Sequence, residues 1–89
     1  MSPSGTPDQP AALAKALEHL AAGEWQAAHE IVQKDTSNLA AWMHGIVHTI
    51  EGDLDNAQYW YRKAARKYPG AGAVHQEIAA ARERLHSTA

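Results

Sequence analysis

The sequence contains no cysteine and no phenylalanine. Without cysteine, neither a disulfide framework nor a thiolate metal site can form. The aromatic residues are three tryptophans and three tyrosines, and six histidines add further polar rings. Every aromatic side chain in this protein therefore carries a polar atom, which needs a hydrogen-bond partner wherever it is buried.

Excess positive charge and long apolar runs are also lacking. Eight Lys and Arg residues against ten Asp and Glu residues give a formal net charge of -2, so the chain lacks the basic surface that neutralises phosphates. No apolar run approaches a membrane-spanning length, and the N-terminal residues have neither the positive flank nor the apolar run of a signal peptide. We therefore expect a cytoplasmic protein with no nucleic-acid partner and no membrane partner.

Helical periodicity and turn signals predict an all-α fold. A chain of 89 residues is long enough for one domain, which we place at residues 6–89 behind a disordered lead-in at residues 1–5. Thr6 and Gln9 have the spacing of a capping box for the first helix. The pattern predicts five helices in antiparallel hairpins, the last of them a capping helix, at residues 7–22, 24–34, 39–51, 54–67 and 73–86.

Small residues recur at a characteristic spacing within residues 38–69. This spacing resembles the tetratricopeptide repeat, a helix-turn-helix unit of about 34 residues, and residues 11–37 match the repeat more loosely. The resemblance implies a helical fold that binds a protein or peptide on its concave side. The matching residues are Gly45, Gly52, Ala57, Tyr61, Ala64 and Pro69.

The same segment also resembles a group of small bacterial and fungal proteins, a resemblance that implies no activity. The shared run is Trp42-x-His44-x3-His48-x2-Glu51-Gly52-Asp53-x2-Asn56-Ala57-x-Tyr59-Trp60-Tyr61.

Histidines replace apolar residues of the repeat at two positions, His44 and His48. On a helix these two residues and Glu51 share one face. Two histidines four residues apart with a carboxylate one turn further on can bind zinc, and His29 or Asp53 could complete the site. The residues between His44 and His48 include no glutamate, which excludes the usual zinc-protease motif.

Two other interpretations of this polar cluster stay open. Buried imidazoles that hydrogen-bond to Tyr61, Asn56 or Glu51 would only lock the helices together, as in a homo-oligomeric scaffold. A hydrolytic enzyme would use His48 as general base, but the sequence places no Ser, Cys or Thr nucleophile nearby. The sequence therefore favours a binding protein over an enzyme, with no cofactor unless the histidines bind zinc.

Two apolar or aromatic surfaces are candidates for partner binding. One is the face of the third predicted helix opposite the histidines, although so apolar a stripe could instead be core. The other lies on the fourth predicted helix, where the inward stripe leaves Tyr59 on the opposite side, to be covered by the last helix or to bind a partner. The predicted partner is a protein, a peptide or a second copy in a homodimer. The candidate binding residues are Trp42, Ile46, Ile50, Tyr59, Trp60 and Arg62.

Overall fold

The computed structural model describes residues 9–87, with side chains from residue 10 onward, and this part of the chain consists of helices joined by short connections, with no strand. The all-α prediction with five helices is confirmed. The predicted lead-in at residues 1–5 and the capping box at Thr6 lie outside the described residues. A short 3₁₀ turn at Ala71–Ala73 precedes the last helix. The helices are α1 (Gln9–Ala21), α2 (Trp25–Val32), α3 (Asn38–Glu51), α4 (Leu54–Lys63) and α5 (Val74–Ser87).

Local caps and a glycine stop position the two helices that carry the polar cluster. The Ser37 side chain accepts a hydrogen bond from the Ala40 N–H at 3.1 Å and begins α3. Gly52 ends α3 in the left-handed conformation with φ 97°. The Asp53 N–H then donates to the His48 carbonyl at 2.9 Å. Because only two residues separate α3 from α4, the chain reverses at once into a helical hairpin.

Helix α4 ends at Lys63, so the prediction that it continues to residue 67 is wrong. Ala65 adopts the left-handed conformation with φ 60°, and the Arg66 N–H donates to the Tyr61 carbonyl at 2.9 Å. This is the hydrogen-bond pattern of a glycine-terminated helix, formed here by an alanine. Helix α2 likewise ends at Val32, before the predicted residue 34.

We predict that Ala65→Gly stabilises the protein. A left-handed conformation costs an L-residue with a Cβ atom about 1 kcal/mol, which glycine avoids. Part of this gain is offset by the greater freedom of glycine in the unfolded chain, so we expect a net increase of about 0.5 kcal/mol in the free energy of unfolding. Urea unfolding measures it, with Ala79→Gly, at an exposed position within α5, as the destabilised control. If Ala65→Gly lowered the free energy of unfolding as much as Ala79→Gly does, the prediction would be contradicted.

Helix α3 is the centre of the molecule and is buried from residue 40 to residue 49. It packs against α2, α4 and α5 and also contacts α1. His44 meets Trp60, and Gly45 lies against Tyr61. In each pair, the α3 residue lies about as many residues before the turn at residues 52–53 as the α4 residue lies after it. Helices α3 and α4 therefore run antiparallel. No helix within residues 9–87 is long and apolar enough to span a bilayer.

Helix α5 closes the fold by packing against α1 and α3. Glu77 on α5 accepts hydrogen bonds from the Trp42 indole N–H at 2.9 Å and the Tyr61 hydroxyl at 2.7 Å. Burial and the adjacent Glu77 carboxylate raise the pKa of Tyr61, so its hydroxyl keeps the proton that it donates. Since α5 takes this path, it leaves Tyr59 46% exposed, and the interpretation that α5 covers Tyr59 is wrong.

Candidate functional site

Three histidines from two helices meet beside the α3–α4 hairpin. His44 and His48 lie one turn apart on α3, and His29 lies in the last turn of α2, which packs along the same face. The ring centroids are 4.8 Å apart for His29 and His44, 5.4 Å for His29 and His48, and 4.9 Å for His44 and His48. One ring nitrogen from each residue lies within 4.8 Å of the other two. We call His29, His44 and His48 the histidine cluster.

The histidine cluster is buried but has few hydrogen bonds. His44 and His48 are 5% and 8% exposed, and His29 is half-buried. The Nδ1 atom of His48 hydrogen-bonds to Oε1 of Glu51 at 2.7 Å. Within residues 9–87 every side-chain nitrogen that is sealed from solvent has a hydrogen-bond partner, whereas the His44 ring has no protein partner. Solvent therefore reaches the ring nitrogens of His44.

Burial keeps the His44 ring neutral. Loss of hydration, followed by the proximity of His48 and His29, lowers the pKa of His44 from 6.5 to about 4. A neutral imidazole has one nitrogen with an available lone pair, which is the form that binds a metal.

Trp60 holds the His44 ring from the α4 side. Their rings stack face to face, with centroids 3.8 Å apart and an angle of 6° between planes. Trp60 is half-buried in this contact. Trp60, one of the candidate binding residues, therefore positions His44 within the histidine cluster.

A small pocket also borders His44. It has a volume of about 180 Å³ and lies between the α2–α3 connection and the Trp60 side of α4. Neither His29 nor His48 lines it, so the pocket meets the His44 ring away from the rest of the histidine cluster.

The other candidate binding residues divide between core and surface. Trp42 and Ile46 are 3% and 1% exposed, and Ile50 packs partly buried against the same core. The apolar stripe of α3 is therefore core, which was the alternative interpretation of that stripe. Tyr59 and Arg62 on α4 have exposed side chains. Partner binding through them stays a prediction.

A second possible ligand set consists of His48, Glu51 and Asp53. Both carboxylate residues are exposed. Glu51 already holds His48, and Asp53 accepts hydrogen bonds from the backbone and the side chain of Asn56, each at 3.4 Å. The sequence named both His29 and Asp53 as residues that could complete a site. The structure joins His29 to the buried imidazoles, whereas Asp53 caps α4.

No protein-family model matches the chain, and no curated protein or solved structure matches it significantly.

Proposed function

We propose that the protein binds a divalent transition-metal ion of the zinc type through His29, His44 and His48. The observation that carries this proposal is the proximity of three imidazole nitrogens, all within 4.8 Å of one another. Imidazole suits zinc, copper, nickel and iron, whereas magnesium and calcium prefer oxygen ligands. The proposed ion is therefore a transition metal.

The distances suit a site that tightens around the ion. Zinc binds imidazole nitrogen at about 2.0–2.1 Å, which places two tetrahedral ligand nitrogens about 3.3 Å apart. Nitrogens up to 4.8 Å apart reach this spacing through movements of about 1 Å in side chains. The stack on Trp60 limits how His44 can rotate, and the hydrogen bond to Glu51 limits how His48 can rotate.

Glu51 fits the role of a residue that supports a ligand. Metal-bound histidines commonly donate their second ring N–H to a carboxylate, which fixes the ring and strengthens it as a ligand. The contact of 2.7 Å between His48 Nδ1 and Glu51 Oε1 has this geometry and leaves Nε2 of His48 for the ion. In this proposal Glu51, which the sequence named as a direct ligand, supports His48 instead.

Among the described residues, side-chain hydrogen bonds hold only one ring of the histidine cluster, that of His48. A structural network would satisfy each imidazole with a hydrogen bond. Instead, Tyr61 donates to Glu77, Asn56 pairs with Asp53, and His44 has no protein hydrogen-bond partner in the described chain. A zinc ion with three histidine ligands keeps one position for water, as zinc enzymes do.

Calorimetric titration of Zn²⁺ into untagged, chelator-treated protein tests the proposal. We expect one ion per chain. Glu51→Gln should weaken binding about tenfold, and His44→Gln should weaken it further, because removing a supporting residue costs 10–100-fold and removing a ligand costs more. Co²⁺ should give the absorption spectrum of a tetrahedral site.

His75→Gln is the matched control, because His75 is exposed on α5 and lies outside the histidine cluster. It should bind Zn²⁺ as the native protein does. Equal loss of affinity in His75→Gln and His44→Gln, or no heat of binding in native protein, would reject the proposal. Circular dichroism of each variant checks that the helices are intact.

A further inference from the structure

Helix α2 contributes one of the three ligands that the proposed ion would bind. His29 lies on α2, whereas His44 and His48 lie on α3. His29 is half-buried and the other two are buried, so His29 lies on the outer side of the histidine cluster. An ion bound by all three residues would therefore join α2 to the buried helix at the centre of the fold.

Helix α2 has weak support of its own. It is eight residues long, the shortest of the five helices described, and its N-terminus has no side-chain cap. Isolated helices shorter than about 12–15 residues are marginal in water, so α2 depends on contacts with its neighbours. Its buried residues are only Ala28 and Val32, and Trp25 and Ile31 add partly buried contacts.

No polar side-chain contact ties α2 to α3. Within residues 9–87, no side-chain hydrogen bond and no ion pair joins these two helices, and His29 meets the rings of His44 and His48 edge to face. Helix α5, in contrast, is joined to α3 and α4 through Glu77, which accepts a hydrogen bond from each. Segments with few buried contacts and few hydrogen bonds to their surroundings open locally at a lower free energy than the core. Helix α2 has the features of such a segment.

An ion needs an opening to reach the histidine cluster. His44 and His48 are 5% and 8% exposed, and a hydrated ion is much larger than the single water molecules that reach the His44 ring. Helices α3 and α4 cannot separate easily, because Gly45 packs directly against the ring of Tyr61. Helix α2, with half-buried His29, covers the same face of α3 from the other side. Movement of α2 is therefore the change that uncovers both buried imidazoles.

We infer that α2 opens locally to admit the ion and that the bound ion then holds α2 against α3. This inference rests on the proposed metal site and adds the movement by which that site fills and empties. In the open form α2 has left α3, and its helix unfolds because eight residues do not form a stable helix alone. With the ion bound, opening requires breaking the bond to His29. Occupancy of the site therefore controls the local stability of α2.

Hydrogen exchange of metal-free protein tests the opening without any ion. Val32 on α2 and Val47 on α3 are the matched pair, because both are buried valines within helices, 1% and 0% exposed. We expect the Val32 amide to exchange about tenfold faster than the Val47 amide, or more, as measured by NMR. At a free Zn²⁺ concentration of about 100 times Kd, exchange at Val32 should slow about 100-fold, because opening must then release the ion.

Glu24→Asp should stabilise the closed form of α2 without changing a ligand. Glu24 begins α2 at φ -89° and ψ 68° with no side-chain hydrogen bond to the helix. Asp53 begins α4 at φ -93° and ψ 81°, nearly the same conformation, and its side chain accepts a hydrogen bond from the Asn56 N–H. The substitution should therefore cap α2 in the same way and keep the charge. We expect it to slow exchange at Val32 in metal-free protein about fivefold, the effect of one cap.

Stopped-flow tryptophan fluorescence then measures the entry of Zn²⁺, and mixing with a chelator measures its release. Glu24→Asp should slow entry and release about fivefold each and leave Kd unchanged, because the cap stabilises the closed form with and without the ion. His19→Gln is the matched control. It removes the contact of 2.7 Å between His19 and Glu24, which the shorter side chain would also lose, but it adds no cap. It should leave both rates as they are in native protein.

Two results would overturn the inference. One is equal exchange at Val32 and Val47 in metal-free protein, and the other is the same entry rate in Glu24→Asp and His19→Gln. Either result, with one ion still bound per chain, leaves the zinc proposal standing. No heat of binding in native protein would reject the zinc proposal and this inference together.

Discussion

Gly45→Ala should lower the free energy of unfolding by about 3 kcal/mol, at the upper end of the cost of overpacking a core. A Cβ atom at residue 45 would overlap the Tyr61 ring and lie 3.2 Å from the carbonyl oxygen of Ala57. The Tyr61 ring is 1% exposed and tied to Glu77, and the second obstacle is backbone. Neither group can move aside without separating α3 from α4.

The loss should appear as a fall of roughly 15 °C in the melting temperature, since 1 kcal/mol corresponds to about 4–8 °C for a domain of this size. Separating the helices should also disturb the stack between His44 and Trp60, which tryptophan fluorescence can detect. Gly72→Ala is the control, because an added Cβ there meets nothing within 4 Å. Equal melting temperatures for both variants would show that the α3–α4 contact is not as close as described.

Helix starts and glycine stops could be predicted because they depend on local chemistry. Ser37 and Asp53 cap α3 and α4 with their own side chains, and Gly52 supplies the left-handed residue that ends α3. The end of α4 could not be predicted in this way. Ala65 favours helix, and only the surrounding fold holds it at φ 60°.

Whether the apolar stripe on α3 forms core or a docking surface depends on the path of α5. A stripe that includes Trp42 and Ile46 is equally suited to a core or to a docking surface until its neighbour is known. In the structure α5 packs against α3, and its Glu77 accepts hydrogen bonds from both Trp42 and Tyr61. Such a contact spans 35 residues of sequence and has no local signature.

The candidate site was only partly predictable, because only some of its residues lie on the same helix. His44, His48 and Glu51 lie on one helix, so their spacing alone places them on one face. Helical spacing does not give the distance between helices, so it could not distinguish His29 from Asp53. The stack of Trp60 on His44 likewise required the close approach that Gly45 permits.

Acidification should destabilise the metal-free protein through His44. Its pKa is about 4 in the folded state and 6.5 as the reference for the unfolded state. Above pH 6.5 the ring is neutral in both states, so the stability is fully present. As the pH falls from 6.5 toward 4, the unfolded chain takes up a proton that the folded protein excludes, and stability is lost. At pH 4.5 the loss should be about 2.5 kcal/mol, at 1.36 kcal/mol per pKa unit.

Urea unfolding at pH 7 and pH 4.5, with chelator present, isolates this contribution when native protein is compared with His44→Leu. Leucine cannot be protonated, so the variant should lack about 2.5 kcal/mol of the pH-dependent loss while retaining the contribution of the carboxylates. His75→Gln, at an exposed position, should keep the native pH dependence. His29 and His48 also face His44 and repel its charged form, so changing either to glutamine should reduce the acid sensitivity only in part. If His44→Leu loses as much stability on acidification as native protein does, the His44 ring is not held neutral by its burial between α2, α3 and Trp60.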